Sequence, residues 1–168
     1  MEILLKLKHW QVFILLFVVI GLSNFTLYNT ELVSQLLNSF GVLIYFFWNL
    51  GLGLILSQIA PNKVVVKRHL FILNAAVLLI SLIVVQFVFE GEFESNGFLG
   101  FFWSVYVIYA IIQFFSYPAK ILKSIELNKE ARFINYLGYF VLFIFWPFGI
   151  WAIQPKLNNL QITKSNQS

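Results

Sequence analysis

The side chains that could do chemistry in the apolar parts of this chain are neutral amides. Asn49, Asn74 and Gln113 each lie inside a long uncharged run, within about eight residues of a basic end. At 1.5 Å of rise per helical residue, this spacing places the three within roughly 5 Å of one another in depth. An amide surrounded by lipid needs a hydrogen-bond partner. It finds one on a neighbouring helix, or in water held by a small polar cavity. Tying helices together is the favoured expectation; lining a polar path is the alternative.

Other constellations point to less. His9 and His69 each stand beside a basic residue at the end of an apolar run. They read as interfacial polar tips, and two histidines without a carboxylate make a poor metal site. Glu90, Glu92 and Glu94 lie together, but an all-protein Ca²⁺ site wants six or more oxygen ligands, so a solvated turn is the better reading. The chain has no Cys, which excludes disulfides, thiolate metal sites and cysteine nucleophiles. It has no Asp, and its seven acids are all Glu. The run Asn49-Leu50-Gly51-Leu52-Gly53 lacks the Lys of a phosphate loop and lies within an apolar span. No catalytic constellation, cofactor site or metal site emerges, so a non-enzymatic role is expected.

The elements that must position the amides follow from composition. The 168 residues are 60% hydrophobic and 11% charged, against about 25% charged in an ordinary soluble domain. A water-soluble fold of this size could not hide so much apolar surface in one core. Lipid is the expected solvent, and lipid demands that spanning segments satisfy their own backbone, as helices do. The expected fold is an all-α, polytopic transmembrane bundle forming one integral membrane domain over residues 1–168. Spans are expected at about 4–22, 39–57, 69–89 and 98–117, each close to the 20 residues a 30 Å hydrocarbon core requires. A surface helix is expected over about 118–133, opening at Pro118, which suits a first helical position.

Charge sets the orientation. Lys6, Lys8, Lys63, Lys67, Arg68, Lys120, Lys123, Lys129 and Arg132 form three clusters at alternate connections. Basic connections mark the cytoplasmic side, which places the N-terminus inside and favours contact with anionic lipid head groups. The net charge of +4 is therefore read as topology, with no nucleic-acid partner implied. The first span also resembles a signal peptide, with Gly21-Leu22-Ser23 as a cleavage site, but a retained helix is the simpler reading.

The last apolar run, 134–153, is broken at Trp146-Pro147-Phe148-Gly149. A fifth crossing kinked at Pro147 is favoured. A re-entrant hairpin turning between Pro147 and Gly149 is the alternative. The crossing puts Lys156 and Lys164 outside, against the trend; the hairpin keeps them inside. The order of features also suggests a tandem repeat of helical hairpins. Lys8-His9 matches Arg68-His69, Phe46-Phe47-Trp48 matches Phe101-Phe102-Trp103, and Pro61-Asn62-Lys63 matches Pro118-Ala119-Lys120.

The segments Ala119–Glu126 and Phe145–Asn158 carry a resemblance. With Pro147-Phe148-Gly149-Ile150-Trp151 and Gln154-Pro155-Lys156-Leu157-Asn158, the end of the chain is similar to the end of small, uncharacterised bacterial multi-pass proteins. Their shared pattern is Pro-x-Gly-x-Trp followed by Gln-Pro-basic-x-Asn. The likeness covers roughly the last quarter. It implies a bacterial inner-membrane protein with a defined Pro147–Asn158 segment, and no activity. The functional expectation is an accessory or assembly subunit acting through helix–helix contacts, as a homo-oligomer or with a partner membrane protein. The alternative is a subunit of a small transporter or channel.

Overall fold

A computed structural model describes residues 7–23, 31–87 and 97–165, and all its regular structure there is helical. The helices are α1 (His9–Ser23), α2 (Glu31–Ile59), α3 (Arg68–Phe87), α4 (Gly97–Leu127), α5 (Phe133–Ile144) and α6 (Trp146–Ser165). Three stretches are long and apolar enough to cross a membrane: Ser39–Ile59, Arg68–Gln86 and Gly97–Leu127. His9–Val18 and Phe133–Ile144 are shorter apolar helical stretches. The expected start of the first span and the Glu90, Glu92 and Glu94 turn lie outside the described residues.

Helix α2 is the centre of the bundle. It packs against α1, α3 and α4, and its Trp48, Leu52 and Leu56 are buried. The rings of Phe46, Phe114, Phe71 and Tyr117 stack in series across α2, α4 and α3, with centroids 4.8, 5.6 and 4.1 Å apart. Offset ring stacks of this kind add to the burial of the rings themselves. Gly53 of α2 makes the stack possible, because a Cβ there would sit 2.5 Å from the Phe71 ring. The second aromatic triplet behaves differently from the first. Phe46 and Trp48 are buried, whereas Phe101, Phe102 and Trp103 are all exposed on α4.

The apolar stretch Ser39–Ile59 matches the span expected at about 39–57, and helix α2 carries it on a longer helix that begins at Glu31. One boundary differs from the sequence reading. Helix α4 does not stop at Tyr117 to let a surface helix begin at Pro118; it runs through Pro118 to Leu127. At 31 residues it is about 46 Å long, so its last turns project past a hydrocarbon core of about 30 Å. It ends where Asn128 adopts the left-handed conformation (φ 49°) and the Lys129 N–H reaches back to the Ser124 carbonyl at 3.2 Å. That is a Schellman closure with Asn in place of the usual Gly.

The last apolar run is two helices joined at Phe145, not one kinked helix. Helix α5 has 12 residues, about 18 Å, and Pro147 occupies the first turn of α6. Helix α6 then folds back. Its Gly149 presses on α5, and its Lys156 Nζ bonds the Tyr139 hydroxyl and lies 2.9 Å from Glu126. Three contacts in reverse order run α6 antiparallel to α1: Trp146 with Phe13, Trp151 with His9, and Gln154 with the Leu7 carbonyl. Lys156 therefore lies at the same end of the bundle as Lys8, Lys123 and Glu126.

Gly149 fixes the closeness of the turn, because a Cβ there would lie 1.8 Å from the Leu142 carbonyl oxygen. A backbone oxygen cannot swing away as a side chain can. Gly149→Ala should destabilise the protein by about 1–3 kcal/mol, the usual effect of overpacking, read as a lower melting temperature in detergent. Gly138→Ala, at a position with open space around it, should leave the melting temperature unchanged or raise it.

Candidate functional site

The amides singled out by sequence all sit on the faces where α2, α3 and α4 meet. Asn74 donates to Gln113 Oε1 at 2.7 Å and accepts from the Tyr106 hydroxyl at 2.9 Å. This ties α3 to α4 at two levels. Asn49 joins neither amide. Its Nδ2 donates to the Phe114 carbonyl at 3.1 Å, and its Oδ1 has no partner. The structure thus brings together Asn74 and Gln113, and places Asn49 beside them on the next backbone carbonyl of α4.

The carbonyl chosen by Asn49 has a specific reason to need a donor. In an α-helix the Phe114 carbonyl would accept from the N–H of residue 118. Residue 118 is proline and has none. A freed carbonyl in lipid must find a substitute donor, commonly a side chain from an adjacent helix. Asn49 is that donor. One turn earlier on the same face of α2, the Tyr45 hydroxyl donates to the Phe143 carbonyl. Phe143 lies in the last turn of α5, where carbonyls have no partner within the helix. Tyr45 and Asn49, spaced i and i+4, therefore cap two breaks in neighbouring helices.

A second group of side chains gathers at the basic end. Glu126 accepts from Lys123 at 2.9 Å, from Lys156 at 2.9 Å and from the Tyr139 hydroxyl. Lys123 and Lys156 also lie over the Tyr139 ring, 5.6 and 4.6 Å from its centroid. Glu126 is beyond the apolar part of α4. Burial alone would raise its pKa, but the hydrogen bonds from Tyr139, Lys156 and Lys123 outweigh burial and hold it down to about 2. Lys123 and Glu126 form an i,i+3 pair, and Lys156 and Tyr139 extend it to hold α6 and α5 against the end of α4.

Beside this group, a crevice of about 300 Å³ opens between the start of α3, the lower part of α4 and α5. Lys67, Gln113, Ser116, Tyr117, Lys120, Glu130 and Tyr136 supply its polar wall. Elsewhere, an apolar groove of about 480 Å³ runs between α2, α3 and α4, from Val42 and Tyr45 to Leu82, Val85 and Ile111. Among the described residues no three potential metal-ligating side chains cluster. His9 lies against Trp151 in a tilted ring contact, centroids 4.7 Å apart, at the end of its helix. No protein-family model, curated protein or solved structure matches the chain.

Sequence reasoning missed Tyr45, Tyr106 and the role of Lys156. The usable signal for Asn49 was Pro118, since a proline inside a helix always frees the carbonyl four residues before it.

Asn49→Ala should destabilise the protein by about 1–3 kcal/mol, because it leaves a buried acceptor unsatisfied. In a Pro118→Ala background the same substitution should have a much smaller effect, since residue 118 regains the N–H that Phe114 needs. Melting temperatures of the four proteins in detergent check this. Acid unfolding checks the Glu126 group. Its stabilisation is fully present above the ordinary carboxylate value of 4.5 and is lost as pH falls toward about 2. Glu126→Gln should lower stability at neutral pH and remove that part of the acid dependence.

Proposed function

We propose that the chain is an integral membrane protein of the accessory or assembly type, working through helix–helix contacts. In this reading α2, α3, α4 and the first apolar run, about 4–22, cross the bilayer, and the basic end faces the cytoplasm by the positive-inside rule. Helices α5 and α6 form a re-entrant hairpin that enters from that same side. At about 18 Å, α5 is too short to cross a core of about 30 Å. The pairing of Lys156 with Glu126 supports its return. A cytoplasmic membrane of a bacterium is the matching location, on the resemblance of the chain's end alone.

One observation carries the accessory reading: the intramembrane amides are spent on scaffolding. Asn49 caps a backbone carbonyl, and Asn74 holds Gln113 and Tyr106. Asn74 is only 1% exposed, and the stacked rings of Phe46, Phe114, Phe71 and Tyr117 fill the space between the helices. What remains open toward the bilayer is apolar. The groove between α2, α3 and α4 is lined mostly by apolar side chains, and Gln86 on its α3 wall offers hydrogen bonds that a lipid chain cannot use. A transmembrane helix of a partner subunit is the occupant we assign to it.

A second reading, a subunit with a neutral polar path, is favoured by one fact. Gln113 lines the crevice at the basic end and also continues the hydrogen-bonded string through Asn74 to Tyr106. That string marks the route a solute would follow if the seam opened.

A photo-crosslinking residue at Ile111 tests the accessory reading in native membranes. An adduct with a second protein species is the expected result. An adduct of twice the chain mass would make the partner another copy. Adducts with lipid alone would contradict the reading. Loss of solute flux in Gln113→Ala, with assembly unchanged, would favour the path instead.

A further inference from the structure

The crevice at the basic end has a chemistry of its own that neither scaffolding nor partner docking uses. Its polar groups are mostly donors. Lys67 is exposed and makes no ion pair among the described residues. Lys120 is held 2.6 Å from Glu130. Two lysines against one carboxylate leave one positive charge on the walls. Gln113 has its oxygen committed to Asn74, and no hydrogen bond from its Nε2 is formed among the described residues. Tyr136 of α5 lines the crevice as well and brings a hydroxyl. Ser116 donates to the Ile112 carbonyl at 2.6 Å.

In the proposed topology the crevice sits at the depth where spanning helices meet the head-group layer. Lys67 immediately precedes α3, and Lys120 lies just past the apolar part of α4. Its volume of about 300 Å³ is at the small end of ligand-sized pockets, roughly 300–1,000 Å³. Apolar side chains border it as well: Val65 is exposed, Ile121 lines the wall, and the exposed Phe133 ring lies 5.4 Å from that of the lining Tyr136. A basic, donor-rich pocket with an apolar lip, between helices and on the basic side, is the arrangement that holds an anionic head group.

We propose that this crevice binds a phosphate-bearing anion, with Lys67 and Lys120 as its cationic contacts and Gln113 and Tyr136 as its neutral donors. Glu130 opposes the anion and holds Lys120 when the site is empty. The apolar lip makes a glycerophospholipid the fitting carrier of that phosphate, and free phosphate presents the same chemistry without the chains. The inference is independent of the partner reading, because no residue of the α2–α3–α4 groove takes part.

The test uses the full chain in an uncharged detergent. Melting temperature is followed while dihexanoyl phosphatidylglycerol, dihexanoyl phosphatidylcholine or inorganic phosphate is titrated. Saturable stabilisation by the anionic lipid and not by phosphatidylcholine is expected. Inorganic phosphate saturating at equal or lower concentration would sustain the site and make free phosphate its ligand. Lys67→Gln and Lys120→Gln should each weaken binding about fivefold, the effect of about 1 kcal/mol per basic residue. Glu130→Gln separates ligand binding from a merely structural ion pair. If the pair is only structural, Glu130→Gln and Lys120→Gln change the titration in the same direction. If the crevice holds an anion, Glu130→Gln tightens binding while Lys120→Gln weakens it. No saturable response to either phosphate compound, or an unchanged titration in Lys67→Gln, would overturn the proposal.

Discussion

A carbonyl freed inside a membrane has no water to turn to, and this chain frees two near its centre. Pro118 removes the donor for Phe114, and the end of α5 leaves Phe143 without one. Both are met from one face of α2, by Asn49 and by Tyr45. The consequences extend past the two bonds. Because Asn49 supplies Phe114, α4 can continue about two and a half turns beyond Pro118 instead of ending there. Those turns carry Lys120, Lys123, Ser124 and Glu126. Because Tyr45 supplies Phe143, the chain can reverse after α5 while still surrounded by apolar side chains. The extended end of α4 then meets the returning α6 at Lys156, and Glu126 joins them.

This arrangement gathers polar chemistry at one end. The Glu126 group fastens α5 and α6 to α4, and the crevice of about 300 Å³ lies beside it between α3, α4 and α5. The other end, as far as it is described, presents aromatic and aliphatic side chains. Phe98, Leu99, Phe101, Phe102 and Trp103 are all exposed on the first turns of α4. An exposed surface of this kind suits lipid or a neighbouring helix, since packing rather than hydrophobic transfer drives association in a bilayer. Polar groups set the protein's internal geometry and its basic face. Apolar groups are left to meet whatever surrounds it.

The helical class and the three long apolar helices could be read from composition and run length, and so could the shared depth of Asn49, Asn74 and Gln113. What could not be read depended on contacts between distant segments. Pro118 is equally at home in a first helical turn or inside a helix whose freed carbonyl has found another donor. Only the position of Asn49 decides between them. The Pro147–Gly149 break fits a kink or a reversal, and the choice rests on the fit of Gly149 against Leu142 and on the partners of Lys156. The span start at Ser39 was legible, but not the two helical turns before it, because Glu31, Ser34, Gln35 and Asn38 dilute the apolar signal without breaking the helix. The aromatic triplets match in sequence, yet Phe46 and Trp48 of the first pack the core while Phe47 and all of the second are exposed, a difference that depends on neighbours and not on local sequence.

The central claim is that the final segment returns to the basic end, so that the tail and the α2–α3 connection share one side of the membrane. The chain has no native Cys, so single cysteines at Lys63 and Asn159 can be labelled in sealed vesicles with an impermeant thiol reagent. The account predicts that Lys63→Cys and Asn159→Cys react in vesicles of the same orientation and are protected together in the other. Labelling of Asn159→Cys from the side opposite to Lys63→Cys would contradict it.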